Sequence, residues 1–296
     1  MTLKSTAQTY WESHPNAAAQ AQWTSNPTIG ETVYRRMSGG QSSKHWLFWL
    51  LEDYFQGKHF QRVLSPGCGV GDHEIILAQS GIADRIDTFD FSETSLQIAR
   101  EKARKNHVNI NFYQADLNTF TLPAPHIYDL VLCSGSVHHV KELERFLATI
   151  HQALRPEGYF VINEYVGDCY NIYHAKQVKL INQILACFPP ELRSSSQQAF
   201  QNAAIEQVMN HDPSEAVRSK LILPFLEYYF IPEFFQPYGG SILHVLYPLL
   251  NDARLSGESS ESQAIVRLLL AIEDIVLEHE VLPSDFVFCV CRPGPE

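Results

Sequence analysis

The sequence contains no apolar run of the roughly 18 residues that a bilayer span requires, and residues 1–4 lack the apolar core of a signal peptide. Basic residues are scarce: 22 lysines and arginines stand against 33 acidic residues, which gives a net charge of −11. Binding of nucleic acid or of an anionic membrane without sequence specificity needs a basic surface. We therefore expect a cytoplasmic protein whose partners include neither a nucleic acid nor a membrane.

Several chemical signatures are also missing. None of the six cysteines forms a Cys-x-x-Cys pair, no set of His, Cys, Asp and Glu has metal-ligand spacing, and no Gly-x-Ser-x-Gly elbow occurs. These absences predict free thiols and no metal site. What the chain does have is length and apolar content, because 296 residues that are 45% hydrophobic can form one large domain or a domain with a cap.

One stretch organises the rest of the chain. An apolar run at residues 62–65 is followed by Gly67, Gly69 and Gly71 and then by a helical pattern. This order predicts a strand, a tight turn and a helix. Glycine has no β-carbon, so it accepts positive φ and lets a ligand lie against the backbone. The free N–H groups at the start of the helix favour a carboxylate or a phosphate.

The ligand of this turn can be narrowed further. Asp90 ends the next apolar segment, nineteen residues after Gly71, and an acidic residue at that strand tip can accept both hydroxyls of a ribose. The dinucleotide fingerprint is not met, because Asp72 stands where the last glycine should be. Asp72 and Glu74 also place negative charge beside the site, which is unfavourable for a pyrophosphate. A nucleoside with an amino-acid end and no phosphate, such as S-adenosylmethionine, fits better.

The segment Ser65-Pro66-Gly67-Cys68-Gly69-Val70-Gly71 resembles the first motif of the class I S-adenosylmethionine-dependent methyltransferases. That motif is hydrophobic–acidic–x–Gly–x–Gly–x–Gly, and Ser65 stands where the family has Asp or Glu. The sequence therefore does not show which group holds the methionine amino end. The resemblance implies S-adenosylmethionine as cofactor, with these residues at its site: Ser65, Gly67, Cys68, Gly69, Gly71, Asp90, Phe91, Asp116, Leu117 and Ser134.

Strand and helix patterns alternate from residue 61 to 166. Strands are predicted at 61–65, 85–90, 109–114, 128–134 and 158–166, and helices at 72–80, 92–105 and 141–154. Such alternation implies parallel strands joined by right-handed crossovers, with ligands at the carboxyl ends of the strands. The strand tips resemble the family pattern in order, and the resemblance implies that Asp116 meets the adenine amino group. It also implies an α/β, doubly wound, seven-stranded and mostly parallel sheet.

Beyond residue 167 the pattern changes. We predict a helix at 214–230, a sixth strand at 232–237, helices at 241–252 and 261–280, and a last strand at 285–291. The expected organisation is a helical N-terminal cap at 1–57, a cofactor-binding core at 58–168, a helical lid at 169–212, and completion of the sheet at 213–296 with a second helical insertion at 241–280. In the N-terminal cap, Tyr10 and Arg36 are candidates to reach the ligand, and Arg36 can pair with a carboxylate bidentately.

The candidates for proton transfer follow the fourth strand. Methyl transfer needs a general base only when the acceptor arrives protonated, and a histidine takes a proton near neutral pH. His139-Val140 resembles a histidine–aliphatic pair in family members that methylate phosphoethanolamine, with Tyr10 as the corresponding N-terminal tyrosine. His138 and His139 can also simply cap a helix or line the pocket. Glu164 is a candidate base, a candidate binder of a cationic acceptor, or a satisfied loop carboxylate.

We expect an enzyme that transfers a methyl group to an oxygen or nitrogen of a small molecule or short peptide. The aromatic stretch at residues 228–238 favours a bulky, partly apolar acceptor such as a natural-product intermediate. One alternative is a carboxyl O-methyltransferase that needs no base. Another is a non-catalytic cofactor-binding protein, which Ser65 favours. A nicotinamide-dependent oxidoreductase is disfavoured by the early third glycine, and the oligomeric state stays open, a homodimer included.

Overall fold

The computed structural model describes residues 6–15, 23–194, 199–257 and 259–295; residues 1–4, considered above for a signal peptide, lie outside this set. The described chain forms one seven-stranded sheet in the order β3-β2-β1-β4-β5-β7-β6. Strands β1 to β5 run parallel, and β7 lies antiparallel between β5 and β6. The predicted doubly wound, mostly parallel fold is confirmed. The strands are β1 Phe60–Pro66, β2 Ala83–Asp90, β3 Asn111–Gln114, β4 Tyr128–Ser134, β5 Leu154–Tyr165, β6 Phe230–Gly239 and β7 Phe286–Pro293.

Helices cover both faces of the sheet. None of them, within the described ranges, is both long and apolar enough to cross a membrane. They are α1 Thr6–Ser13, α2 Pro27–Met37, α3 Trp46–Trp49, α4 Asp72–Gln79, α5 Glu93–Lys105, α6 Leu143–Ala153, α7 Ala175–Leu185, α8 Ile205–His211, α9 Ile222–Tyr229, α10 Leu243–Leu246, α11 Asp252–Leu255 and α12 Ser260–Glu278. Helices α7 to α9 lie between β5 and β6, and α10 to α12 lie between β6 and β7.

The core is divided in two by the sheet. Successive residues of a strand point to opposite faces, and β4 shows this alternation: Leu130 and Leu132 belong to one apolar cluster, whereas Val131 and Cys133 belong to the other. All four are almost completely buried. A strand that is apolar on both sides is what a parallel sheet covered by helices requires, which explains why β4 reads as a continuous apolar run.

The topology fixes where a ligand can bind. The chain passes from β1 outward through β2 to β3, and then returns to place β4 on the other side of β1. The crossover connections therefore diverge at the carboxyl ends of β1 and β4 and leave a crevice there. Residues 67–71 follow β1 and residues 135–139 follow β4, so both predicted functional segments lie at this crevice.

The helix predicted at 214–230 is wrong in its first half. The α-helix begins only at Ile222, and residues 213–218 form turns. The Asp212 carboxylate accepts a hydrogen bond from Ser214 N at 2.9 Å, Ala216 has φ +49°, and Val217 N donates to His138 O at 3.1 Å. Backbone N–H groups that a helix would pair internally thus donate to Asp212 and to the loop after β4. Sequence periodicity does not show these partners.

The aromatic residues expected to face an acceptor mostly pack in the sheet instead. Phe230 lies against Phe160 with a centroid separation of 4.8 Å, and Phe234 lies 5.2 Å from Trp49. Both belong to β6, while Tyr228 is exposed. Because β6 is an edge strand, its aromatic side chains close the edge of the core, so they do not indicate the size of an acceptor.

Arg36 is held in a largely buried ion-pair network, and this network does not include the glycine turn. Its guanidinium lies 2.8 Å from Glu273 Oε2 and 2.6 Å from Asp274 Oδ1, and it donates to Tyr238 O at 3.1 Å. Glu273 is fully buried, and its other oxygen accepts bonds from three backbone N–H groups at the start of α10, those of Gly240, Ile242 and Leu243. This carboxylate joins α2, α12 and the end of β6.

We expect Glu273→Ala to lower the free energy of unfolding by about 3–5 kcal/mol, because it removes the buried carboxylate from a largely buried guanidinium and leaves three N–H groups unpaired. Asp274→Ala is the matched control: it removes the neighbouring carboxylate on the same arginine, but that side chain is 48% exposed, so the loss should stay below about 1 kcal/mol. Urea unfolding followed by tryptophan fluorescence measures both. Equal losses for the two variants would contradict the burial argument.

Candidate active site

The turn between β1 and α4 has glycine for two different reasons. Gly67, Gly69 and Gly71 all have left-handed φ values, +74°, +51° and +81°. A β-carbon at Gly67 would lie 2.6 Å from the Ser136 side chain, and one at Gly71 would lie 2.8 Å from Ala99. Apart from Gly69 itself and its two neighbours in the chain, no heavy atom of the described residues lies within 4 Å of that position at Gly69. The outer glycines therefore permit close packing, and Gly69 faces open space in which a ligand can lie.

Asp90 ends β2 directly beside this turn. Its carboxylate accepts hydrogen bonds from Gly69 N and from Ser92 N, both at 2.9 Å, and burial raises the pKa of the carboxyl. Phe91 follows, and its carbonyl accepts a bond from Gln8 of α1 at 3.0 Å. The turn, the acidic strand tip and the N-terminal helix thus meet at one place, as expected for a nucleoside site.

The next strand tips are organised by short-range bonds. Asp116 Oδ1 accepts bonds from Asn118 N at 2.8 Å and from Asn118 Nδ2 at 3.0 Å. A methyl carbon of Leu117 lies 3.5 Å from the point that a β-carbon would occupy if residue 67 were not glycine. Ser134 Oγ accepts a bond from Asn163 Nδ2 at 3.2 Å. Asp116, Leu117 and Ser134 therefore border the crevice, and their contact with a cofactor stays a prediction.

Ser65 is buried and has an unexpected partner. Its hydroxyl donates to Glu74 Oε1 at 2.5 Å, and Glu74 comes from the first turn of α4. Burial raises the pKa of Glu74 to about 7. Burial, with Glu74 and Asp90 as negative neighbours, also raises the pKa of the Cys68 thiol. A carboxyl group therefore does lie beside β1, although β1 itself supplies only a serine.

Glu164 organises the loop after β4. Its Oε1 accepts bonds from Ser136 N and Val137 N, both at 2.6 Å, and its Oε2 lies 2.8 Å from His138 Nδ1. Burial by itself would lower the pKa of His138, but the charge of Glu164 outweighs it and raises the pKa to about 9. His138 is therefore an imidazolium at neutral pH, and Glu164 is a satisfied carboxylate.

His139 has the opposite character. Burial and the neighbouring His138 lower its pKa, so its imidazole is neutral near pH 7. Nδ1 lies 3.3 Å from Ser214 O. The Ser214 hydroxyl lies at the same distance from Nδ1, and it donates its own proton to Asp212 Oδ1 at 2.6 Å. Both Ser214 oxygens therefore act as acceptors toward Nδ1, which favours a proton on Nδ1 and a lone pair on Nε2. Glu215 Oε2 lies 3.9 Å from that Nε2.

Helix α1 covers this histidine. The Trp11 ring stands edge-on to His139 with centroids 5.3 Å apart, and its indole N–H donates to Asp212 at 3.0 Å. Tyr10 packs against His211 at 4.7 Å. Burial, together with the charges of Asp212 and Glu215, raises the pKa of Tyr10. The N-terminal segment and the loop after α8 therefore form a polar and aromatic cover over the β4 tip.

Three potential metal ligands also converge here. Ligand atoms of His138, His139 and Glu215 all lie within 4.8 Å of one another. The spacing in the sequence gave no sign of this set, because Glu215 lies in a separate segment, 76 residues after His139. The residues that sequence reasoning missed are Trp11, Asp212 and Glu215. The only signal for the acidic pair is that it flanks a helix break: Asp212 directly precedes Pro213, and Glu215 follows it by two residues.

Arg36 is the predicted ligand contact that this geometry does not support. Its guanidinium is paired with Glu273 and Asp274. Cofactor binding by Arg36 therefore stays a prediction that gains no support from these contacts.

The crevice suits a nucleoside that carries an amino-acid end. It offers open space above Gly69, a carboxylate at the tip of β2 for hydroxyl groups, and a buried carboxyl at Glu74 with one oxygen unpaired among the described residues. These groups match the ribose and the ammonium group of S-adenosylmethionine in donor and acceptor character.

Comparison with known proteins agrees. The methyltransferase-domain family matches residues 58–225, more than half of the chain. Among curated proteins, the ubiquinone biosynthesis O-methyltransferase of Rickettsia canadensis is 28% identical over 101 residues, which are 34% of this chain and 41% of that protein. The homologous enzyme of Coxiella burnetii is 29% identical over 103 residues, 35% of this chain and 42% of that protein. The chain thus spans about two fifths of these relatives.

Solved structures are similar in fold. Phosphoethanolamine N-methyltransferase 2 of Haemonchus contortus, solved with S-adenosylhomocysteine, aligns with a TM-score of 0.55 at 15% identity, over 100% of this chain and 62% of that one. The [4+2]-cyclase SpnF aligns with a TM-score of 0.53 at 13% identity, over 100% and 99%. The chain belongs to the family of class I S-adenosylmethionine-dependent methyltransferases, and S-adenosylmethionine is its cofactor.

Proposed function

We propose that this enzyme transfers a methyl group to a hydroxyl oxygen or an amine nitrogen of a small molecule or short peptide, with His139 as the general base. The observation that carries the proposal is a histidine at the tip of β4 whose pKa is lowered and whose Nδ1 faces two acceptor oxygens, which favours a free lone pair on Nε2. Ser136, three residues earlier, packs on Gly67 and donates to Pro66 O at 3.0 Å. The base is therefore anchored to the turn that holds the cofactor.

Each residue of the cluster has a distinct task. When bound, S-adenosylmethionine supplies a methyl group that is already activated by a positively charged sulfur. The chain must then orient the acceptor, keep water out and remove the acceptor's proton. His139 Nε2 takes that proton, while His138 and Glu164 hold the loop in place and keep His139 neutral. Trp11 and Tyr10 close the site from the N-terminal side.

The charges around His139 bear on the type of acceptor. Asp212 Oδ2 and Glu215 Oε2 lie 4.0 and 3.9 Å from the His139 ring nitrogens, and burial of Glu215 is offset by the two histidines, so that its pKa is lowered. Two carboxylates repel an anionic acceptor and attract a cationic or hydrogen-bond-donating one. This supports a hydroxyl or an amine over the alternative of a carboxylate that needs no base.

The relatives support an oxygen acceptor in biosynthesis. The similar proteins of Rickettsia canadensis and Coxiella burnetii are named O-methyltransferases of ubiquinone biosynthesis, which supports a small organic hydroxyl compound, such as an intermediate of natural-product synthesis, as the acceptor here. The serine at position 65, where the family motif has an acidic residue, is the reason to keep the non-catalytic alternative. Turnover of the cofactor decides between the two.

We expect His139→Gln to lower kcat by about 10²- to 10⁴-fold, because the acceptor's proton loses its base. The assay is formation of S-adenosylhomocysteine with panels of phenols, amines and carboxylic acids. His107→Gln, in the exposed turn after α5, is the matched control and should keep the wild-type rate. Full activity of His139→Gln would contradict the proposal and favour an acceptor that arrives as a carboxylate. No turnover by the wild-type protein with any acceptor would favour the non-catalytic alternative.

The pH profile tests the role of His138. A base must be unprotonated, so kcat should rise with pH through the pKa of His139, which lies below the ordinary histidine value of about 6.5. In His138→Gln the positive neighbour is gone, so protonation of His139 becomes easier and the rising limb should move to higher pH. A limb that stays in place in this variant would show that His138 does not tune the base.

We expect micromolar Zn²⁺ to inhibit turnover, because His138, His139 and Glu215 offer it three converging ligand atoms. The metal would occupy the His139 lone pair that the base needs. Addition of EDTA should restore the rate, and EDTA alone should leave it unchanged. Loss of activity on chelation of the untreated enzyme would contradict the assignment of His139 as a free base.

A further inference from the structure

Strand β1 lacks an acidic residue near its carboxyl end. At the end of β1 the family motif has Asp or Glu, and this chain has Ser65. The structure places the carboxyl of Glu74 against the Ser65 hydroxyl, nine residues later in the chain, with an O–O distance of 2.5 Å. Ser65 Oγ also lies 3.3 Å from Leu132 O of β4. The serine thus lies between a carboxyl group from α4 and the backbone of the neighbouring strand.

The second oxygen of this carboxyl has no hydrogen-bond partner in the part of the chain that the structure describes. Glu74 is 2% exposed, and its Oε2 has no hydrogen-bond partner among the described residues. A buried oxygen without a partner costs roughly 1–3 kcal/mol and is uncommon in folded proteins. Gln would keep the bond to Ser65 without an ionisable group. An acid at this position therefore calls for a cation or a hydrogen-bond donor beside its second oxygen.

The surroundings of Glu74 show which strand tips its carboxyl lies between. Burial raises the pKa of two thiols, Cys68 in the glycine turn and Cys133 near the tip of β4, and the charge of Glu74 contributes at both places. The ionisable groups that act on Glu74 in turn are Asp72 on its own helix and Asp90 at the tip of β2, and both are acidic. The carboxyl therefore lies between the β1 and β4 tips, in a negative environment.

We propose that Glu74, positioned by Ser65, is the counter-charge for the ammonium group of the methionine end of S-adenosylmethionine. The acidic function that strand β1 has lost has moved to the first turn of α4. This inference rests on the cofactor and is independent of the acceptor and of His139 as a base. It adds a binding residue that the glycine-turn motif does not contain.

The raised pKa of Glu74, about 7, gives the proposal a second consequence. In the empty protein the carboxyl is about half protonated at pH 7. A bound ammonium favours the ionised form, so binding should release up to about half a proton at that pH. Cofactor affinity should therefore rise as pH increases through the pKa of Glu74 in the free protein.

The test is calorimetric binding of two nucleosides. S-adenosylhomocysteine carries the ammonium group, and 5′-methylthioadenosine lacks the whole amino-acid end. In Glu74→Gln we expect the affinity for S-adenosylhomocysteine to fall about 10- to 100-fold, the range of a lost charge-assisted hydrogen bond. The affinity for 5′-methylthioadenosine should change less than about twofold, and the proton release, measured in buffers of different ionisation enthalpy, should disappear.

A charge-relocated variant provides the rescue. Ser65→Asp combined with Glu74→Ser returns the carboxylate to β1, and we expect it to recover most of the affinity for S-adenosylhomocysteine. The double variant also tests the proposal if Glu74→Gln does not fold, which thermal unfolding would show. Wild-type affinity of Glu74→Gln would overturn the proposal, and so would an equal loss for both nucleosides, which indicates a structural role in the turn. Failure of wild-type binding would overturn the proposal together with the cofactor. Failure of the base assignment alone leaves these binding results unchanged.

Discussion

The buried carboxylate of Glu164 is the contact on which the active site depends. It accepts bonds from Ser136 N, Val137 N and His138 Nδ1, and Ser136 in turn packs against Gly67. One side chain from β5 therefore fixes the loop after β4 and, through it, the turn after β1. Because the three strands are adjacent in the sheet, the cofactor turn and the histidine pair keep a constant separation.

The same carboxylate separates the two histidines chemically. Its charge keeps His138 protonated, and the resulting imidazolium, with burial, keeps His139 neutral. Two residues of the same type and adjacent in sequence thereby acquire different charge states, which suits the positioning role proposed for His138 and the base role proposed for His139. Environments that push two pKa values apart are a common way to divide acid and base roles.

A second buried acid supports the cofactor side. Glu74 and Ser65 together replace an acidic residue of the family motif, and Asp90 holds the middle of the turn through Gly69 N. These carboxyl groups lie in a negative crevice on a negative chain, which suits a cofactor that carries an ammonium and a sulfonium. Electrostatic agreement of this kind selects S-adenosylmethionine over a pyrophosphate-bearing dinucleotide.

The sequence by itself determined the fold class, the succession of strands and helices along the chain, and the cofactor, because alternating periodicity and the glycine turn are local patterns. Only the tertiary structure decided which side chains meet. Glu74 and Ser65 are nine residues apart, and Glu215 lies 76 residues after His139, so no local pattern links them. The pattern at residues 214–218 likewise predicts a helix, and only the folded chain shows their bonds to His138 and Asp212. The ionisation state of a side chain depends on such long-range neighbours and on burial. Only the folded chain therefore shows which histidine is charged and which is neutral.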